Sequence, residues 1–286
     1  MSDPGSNPER VRRAAGAVEI LPVPVEGRVF RSSRLVRLGD VGVDGRVRLD
    51  ALARYLQDVA GDDSADADLG DDFSWVVRRS VIEQHEPLRF RDRAELATFC
   101  SGFGSRWAER RVVITGGQRG WVEAVTVWVR VDVTTGRPKP LSDEFRSTYS
   151  LAAGGREVGG RLRHDALDVG DPGVHLVPWL PRVADLDVLD HVTNAVAWSM
   201  VEEALSSASR RVGSAGWTTL PRRNEVEYRD PIDRRLVVDG PAPVVLVRPG
   251  PDRLDVTVRG GEGRGSPVFV TALVTAVQPR GETTRP

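Results

Sequence analysis

The sequence repeats its own pattern at an offset of roughly 145 residues, and that repeat limits what the chain can fold into. In the first half, Arg28 to Val36 reads as a strand, closed by a turn at Asp44-Gly45. Leu49 to Ala60 then places Leu49, Leu52, Ala53, Leu56, Val59 and Ala60 on one face of an amphipathic helix. Strand patterns follow at Trp75 to Gln84, Ala94 to Gly102, Trp107 to Thr115 and Trp121 to Val133. The second half offers a short strand at His175 to Pro181 and a helix at Val192 to Ser209. From Arg222 the run RRNEVEYRDPIDRRLVVDG reads as strand, turn and strand, and further strands lie at Asp252 to Arg259 and Pro267 to Val277. Only a strongly curved antiparallel sheet buries most of a single helix, so the expected class is α+β, with two such units in tandem. The expected division is an arm over 1–27, a first unit over 28–145, a linker over 146–177, a second unit over 178–279 and a tail over 280–286, with a short helix near Asp143 to Thr148.

Composition narrows the function classes. Lys and Arg number 40 and Asp and Glu 41, so a net charge of −1 supplies no global field toward nucleic acid. Only Lys139 is a lysine, an arginine bias that reads as genome composition. The single Cys100 excludes an internal disulfide and a cysteine zinc cluster, and fits a reducing cytoplasm. It reads as a small buried strand residue. The first residues lack a continuous apolar core, so neither a signal peptide nor a membrane span is expected. The acidic run DDSADADLGDD lacks the spacing of a calcium loop and reads as a solvated turn. His164 and His175 have no partners at metal-ligand spacing, and neither a metal nor another cofactor is expected.

Chemistry concentrates in PRVADLDVLDHVTNAVAW, Pro181 to Trp198. Asp185, Asp187, Asp190, His191 and Asn194 gather where the second helix begins. Asp190 or Thr193 can cap it, and Val192, Ala195, Val196, Ser199 and Met200 keep one face inward. His191 is thereby expected in or just before the first turn, where unpaired N–H groups favour a neutral imidazole and stabilise an oxyanion. Aligning the two helix starts sets Gly42 opposite Asp187 and Arg46-Val47 opposite His191-Val192. One working site per chain follows, with the first copy supplying walls.

This segment resembles the D-L-D-x-N-x-H-V-N-N run of plant and bacterial acyl-ACP thioesterases, matching at Asp185, Leu186, Asp187, His191, Val192 and Asn194. Leu189 stands where the plant enzymes carry an Asn, Thr193 replaces the first Asn after His-Val, and Pro231 falls where those enzymes place a Glu after the strand matched by Glu227-Tyr228, with Asp230 as its neighbour. The resemblance implies a tandem (double) hotdog fold from about residue 28, each half a curved antiparallel sheet wrapping a long helix. It also implies hydrolysis of fatty acyl-ACP in cytoplasmic fatty acid biosynthesis. Asp187 would be base or nucleophile, His191 its proton partner, Asn194 a group fixing the carbonyl or Asp187, and the Val192 N–H an oxyanion donor. Leu52, Leu56, Val59 and Trp75 are expected to wall the acyl pocket. Gln57 and Asp58, a polar pair on the first helix, are expected either to bond across the two central helices or to line that pocket. The partner would be acyl carrier protein or a CoA thioester, with a homodimer left open. Hotdog dehydratases separate their Asp and His by five positions with a Pro between; here the separation is four, without Pro. The alternatives are an acyl-CoA thioesterase of the same superfamily and a non-catalytic acyl-binding protein.

Overall fold

In the computed structural model, residues 19–69, 74–117, 119–213, 215–263 and 265–279 are described. Ten strands form one sheet in which every neighbouring pair is antiparallel, in the order β1-β3-β4-β5-β2-β7-β10-β9-β8-β6. The first five are β1 (Phe30–Leu35), β2 (Trp75–Glu86), β3 (Arg93–Phe103), β4 (Trp107–Gly116) and β5 (Gly120–Arg130). The second five are β6 (His175–Val177), β7 (Arg222–Tyr228), β8 (Val244–Pro249), β9 (Arg253–Arg259) and β10 (Val268–Ala276). The order in the second five mirrors the first about the seam between β2 and β7, which runs from Arg79 opposite Glu227 to Gln84 opposite Arg222. Two tandem hotdog units therefore share one sheet.

Each half wraps one long helix, α1 (Leu49–Asp66) in the first and α3 (Val196–Val212) in the second. Their apolar faces share one core: Leu52, Leu56 and Val59 join Trp198, Val201 and Leu205 over the inward residues of both half-sheets. The helices also bond to each other, the Leu49 N–H donating to Glu202 Oε1 of α3 at 2.8 Å.

Three readings of the sequence are corrected. The acidic run after α1 is not wholly a solvated turn, because the helix continues to Asp66 and Asp63 is fully buried. Asp63 accepts from Arg28 at 2.7 Å, from Tyr149 at 2.7 Å and from Arg110. Tyr149 lies on α2 (Asp143–Ala153), which runs five residues beyond the short helix expected at 143–148; Ser142 caps it and Gly154 ends it. The Leu-Val-Val run after Arg235 is not a strand but part of α4 (Arg234–Val238): Asp233 caps it through the Leu236 N–H at 3.1 Å, and the strand follows at β8.

The segment expected as a linker is tightly held. The Arg156 and Val158 carbonyls accept from the Phe103 N–H at 3.2 Å and Trp107 Nε1 at 2.6 Å. The Arg163 and His164 N–H groups donate to the Glu227 carboxylate at 2.7 and 3.0 Å, and the Leu167 N–H to Thr257 at 2.9 Å. It is a strap from the first half-sheet to the second, over the face turned away from the helices. A Cβ on Gly102 would come within 2.8 Å of the Arg156 carbonyl, so glycine there permits the close approach. Of the expected loose arm, Ile20 packs on Val81 and Val125; residues 1–18, like the tail beyond 279, lie outside the described residues.

Candidate active site

The Asp187 to His191 stretch is a closed β-turn rather than a helix start. The Asp187 N–H donates to the His191 carbonyl at 2.8 Å, Leu186 bridges Val192, and Asp190 takes a φ of 59°. Asp187 Oδ1 accepts from the backbone of Leu189 at 2.9 Å and of His191 at 3.2 Å. His191 also bridges Asp233, so tertiary pairing draws 191–192 out of the helix that their spacing suggested. The regular helix begins at Val196, with Thr193 Oγ1 accepting from the Ala195 N–H at 3.4 Å in the turn before it.

The expected groups are therefore separated by role. Asp185 is buried and serves the loop, accepting from the Arg182 side chain at 2.7 Å and from its N–H at 2.9 Å. Asp187 is exposed, with Oδ1 engaged by the turn. No hydrogen bond joins the Asp187 and His191 side chains among the described residues, so this structure does not place them as a bonded dyad. The Val192 N–H, expected as an oxyanion donor, is spent on the Ile232 carbonyl at 2.8 Å. The Asn194 N–H, at the mouth of α3, has no acceptor among the described residues.

Asn194 lines a small cavity of about 10 Å³ together with Gln57, Leu56, Val77, Trp198 and Tyr228. Tyr228 donates to the Asn194 carbonyl at 2.9 Å, fixing that corner, and burial holds its phenol well above the ordinary range. Of the expected pocket walls Leu56, Gln57 and Val77, a strand residue beside Trp75 in that expectation, reach this cavity. Leu52 and Val59 are core. Trp75 packs on Phe145 with ring centroids 5.1 Å apart, in a separate cluster with Cys100 and Tyr149. Asp58 is exposed and pairs with Arg34 at 2.6 Å, which removes it from any buried pair with Gln57. The bond across the two central helices is made by Glu202 instead. Sequence reasoning missed Glu202, although 202 − 145 = 57 sets it opposite Gln57 in the repeat. Burial pushes its carboxyl up to about 7 against the opposing Leu49 N–H.

Glu83, His85 and Glu123 bring three potential metal-ligand atoms within 4.8 Å of one another. They lie on the strand face opposite the helices, with Arg223 bonded to Glu83 at 2.5 Å and His85 to Glu123 at 2.8 Å. They take no part in the site at Asn194. Cys100 is buried, and its thiol is pushed up to about 11 by burial, so it is not a nucleophile at neutral pH.

Residues 27–149 match the model of the acyl-ACP thioesterase N-terminal domain. Over those residues the chain carries the N-terminal domain of the acyl-ACP thioesterases. Among curated relatives, an uncharacterised protein of Mycobacterium tuberculosis strain H37Rv is 27% identical over 212 residues, covering 73% of this chain and 80% of the relative. The chloroplastic oleoyl-acyl carrier protein thioesterase of Coriandrum sativum is 24% identical over 229 residues, covering 73% of this chain and 62% of the relative. In fold it is similar to the 12:0-ACP thioesterase of Umbellularia californica, with a TM-score of 0.64 at 18% identity over 88% of this chain and 98% of that one. An acyl-ACP thioesterase of Bacteroides thetaiotaomicron gives 0.63 at 16% identity, over 86% and 97%. No described helix is long and apolar enough to cross a membrane.

Proposed function

We propose that this thioesterase hydrolyses the thioester of an acyl group borne by acyl carrier protein, releasing free acid and thiol carrier in cytoplasmic fatty acid metabolism. The observation that carries the reading is the open Asn194 N–H at the start of a long helix, Asn194 and Gln57 both lining the small cavity there. A thioester carbonyl seated there receives hydrogen bonds that strengthen as its oxygen gains charge. Asp187 and His191 sit on the preceding turn, outside that cavity. A carboxylate and an imidazole there manage the proton of an attacking water, the Asp187 oxygen not engaged by the turn being the acceptor. Residues 28–145 form the non-catalytic copy and 178–279 the working one, with 146–177 joining them. The two copies complete the helix pair within one chain, so the site calls for no second subunit.

The test is turnover of an acyl-ACP and acyl-CoA panel by wild type, Asp187→Asn and His191→Ala. Each variant is expected to lose on the order of a hundredfold in kcat with unchanged circular dichroism. Near wild-type rates in both would remove these residues from the mechanism; absence of turnover by wild type, with tight acyl binding, would make the protein an acyl carrier.

A further inference from the structure

The cavity under Asn194 is unlike a slot for a hydrocarbon tail. Apolar chains are favoured by walls without polar groups, because a polar group stripped of water and left unpaired costs free energy. Here Gln57, Ser80, Thr126, Trp128, Asn194 and Tyr228 all contribute to the lining. Ser80 and Thr126 are buried, and their hydroxyls bond to each other at 2.8 Å. The Trp128 indole N–H is buried without an acceptor. A buried donor of this kind is uncommon and marks a place where an acceptor belongs. At about 10 Å³ the free space holds roughly one water, room for a single substituent oxygen at the head of an acyl group and not for a tail laid through it.

We infer that the acyl group taken by this site is short and carries an oxygen, as a hydroxyl or oxo substituent, which accepts from Trp128 and exchanges hydrogen bonds with Ser80 and Thr126. The inference rests on the thioesterase reading above and adds the substrate class to it. Either form of oxygen satisfies the indole donor, and the Ser80–Thr126 pair has a hydroxyl hydrogen to offer an oxo group or a lone pair for a hydroxyl. A saturated chain leaves the Trp128 donor unanswered, with Ser80 and Thr126 bonded only to each other. A site built around such groups rejects an analogue that lacks the matching oxygen.

The experiment measures kcat/KM for β-hydroxyhexanoyl, β-oxohexanoyl, hexanoyl and oleoyl thioesters on acyl carrier protein, using the full chain. It also measures binding of free β-hydroxyhexanoate and hexanoate by calorimetry. At least one oxygenated hexanoyl substrate is expected to exceed hexanoyl by about tenfold or more, with oleoyl slowest; the better of the two separates hydroxyl from oxo. Trp128→Phe keeps the ring and removes the donor, and Thr126→Val keeps the shape and removes the hydroxyl. Both are expected to lower kcat/KM for the oxygenated substrate by about tenfold more than for hexanoyl, which erases the preference. Oleoyl as the best substrate, or equal losses on all substrates in both variants, would overturn the inference. If no thioester is cleaved but β-hydroxyhexanoate binds more tightly than hexanoate, and only with Trp128 intact, the pocket assignment stands and the hydrolytic reading falls. Neither turnover nor selective binding overturns both.

Discussion

In the first copy the N–H that opens α1, that of Leu49, is answered by the Glu202 carboxylate from the other copy. In the second, the matching Asn194 N–H lies beside Gln57 and is unanswered by any described residue. The two preceding loops otherwise share one backbone. Gly42 and Asp187 donate to Arg46 and His191 at 2.9 and 2.8 Å, and Val47 and Val192 donate to Leu88 and Ile232 at 2.9 and 2.8 Å. Gly45 and Asp190 both take positive φ, 74° and 59°. Shared scaffolding with exchanged side chains teaches that the fold specifies a place for an oxygen; in the function proposed above, the residue across the helix pair decides whether protein or substrate fills it. A Glu fills it permanently; a Gln, uncharged and unengaged, leaves it open.

Four measurements break or sharpen this contrast. The largest effect is expected at Asp63, whose counterpart in α3 is Ala208, since 208 − 145 = 63. Asp63→Ala makes the first helix resemble the second but strands Arg110 and Arg28 without their carboxylate, and chemical denaturation should show a loss of about 3–5 kcal/mol. A loss below about 1 kcal/mol would mean that water replaces the carboxylate freely. Next, His191→Arg copies the first loop into the second. It should lower thioesterase kcat by on the order of a hundredfold, about 2.7 kcal/mol, while Arg46→His changes the rate less than about twofold.

Glu202 gives a third, pH-dependent contrast. Its folded carboxyl sits near 7, above the ordinary 4.5, so the folded chain holds a proton that the unfolded chain has released. Stability from this group is full below about 4.5 and falls as pH rises toward about 7. Glu202→Gln should flatten that part of the stability curve, gaining on the order of 2 kcal/mol over wild type at the alkaline end. Parallel curves for the two proteins would show that Glu202 is neutralised by its surroundings, Arg222 and Arg48 being the nearby cations. The smallest effect belongs to the turn itself: Asp190→Gly, which copies Gly45, should raise stability by about 0.5–1 kcal/mol in thermal melts by relieving left-handed strain.

The repeat, both central helices and the order of most strands were legible because periodicity reports burial, and burial is what an amphipathic helix under a curved sheet enforces. The active turn was not. Val192, Ala195 and Val196 carry helical spacing, yet the bridges from Leu186 to Val192 and from His191 to Asp233 outcompete it, and nothing local signals those partners. The Leu-Val-Val run misled in the opposite sense, its β-branched residues reading as strand until Asp233 capped them into a short helix. Glu202 was readable in principle, by carrying the repeat through to Gln57. The polar floor was harder: Ser80 falls in step with Ile82, and Thr126 and Trp128 with Ala124, but polar residues give no signal that their face is the buried one, and only the register shift between Val77 and Arg79 returns Val77 to it.

The seam between β2 and β7 has a bearing on how such asymmetry arises. Were the two halves separate, identical chains, every substitution would appear twice, and a Glu closing one oxygen site would close both. Joining them through one sheet and one strap makes their pairing independent of protein concentration and lets each half drift alone. A copy without the Asp187 and His191 side chains would thus be released from chemistry and retained for shape. In a fused chain of this kind, ancestry is recorded in backbone hydrogen bonds that outlast the side chains, so offset pairs such as 42 and 187 offer a clock-independent way to find which half still works.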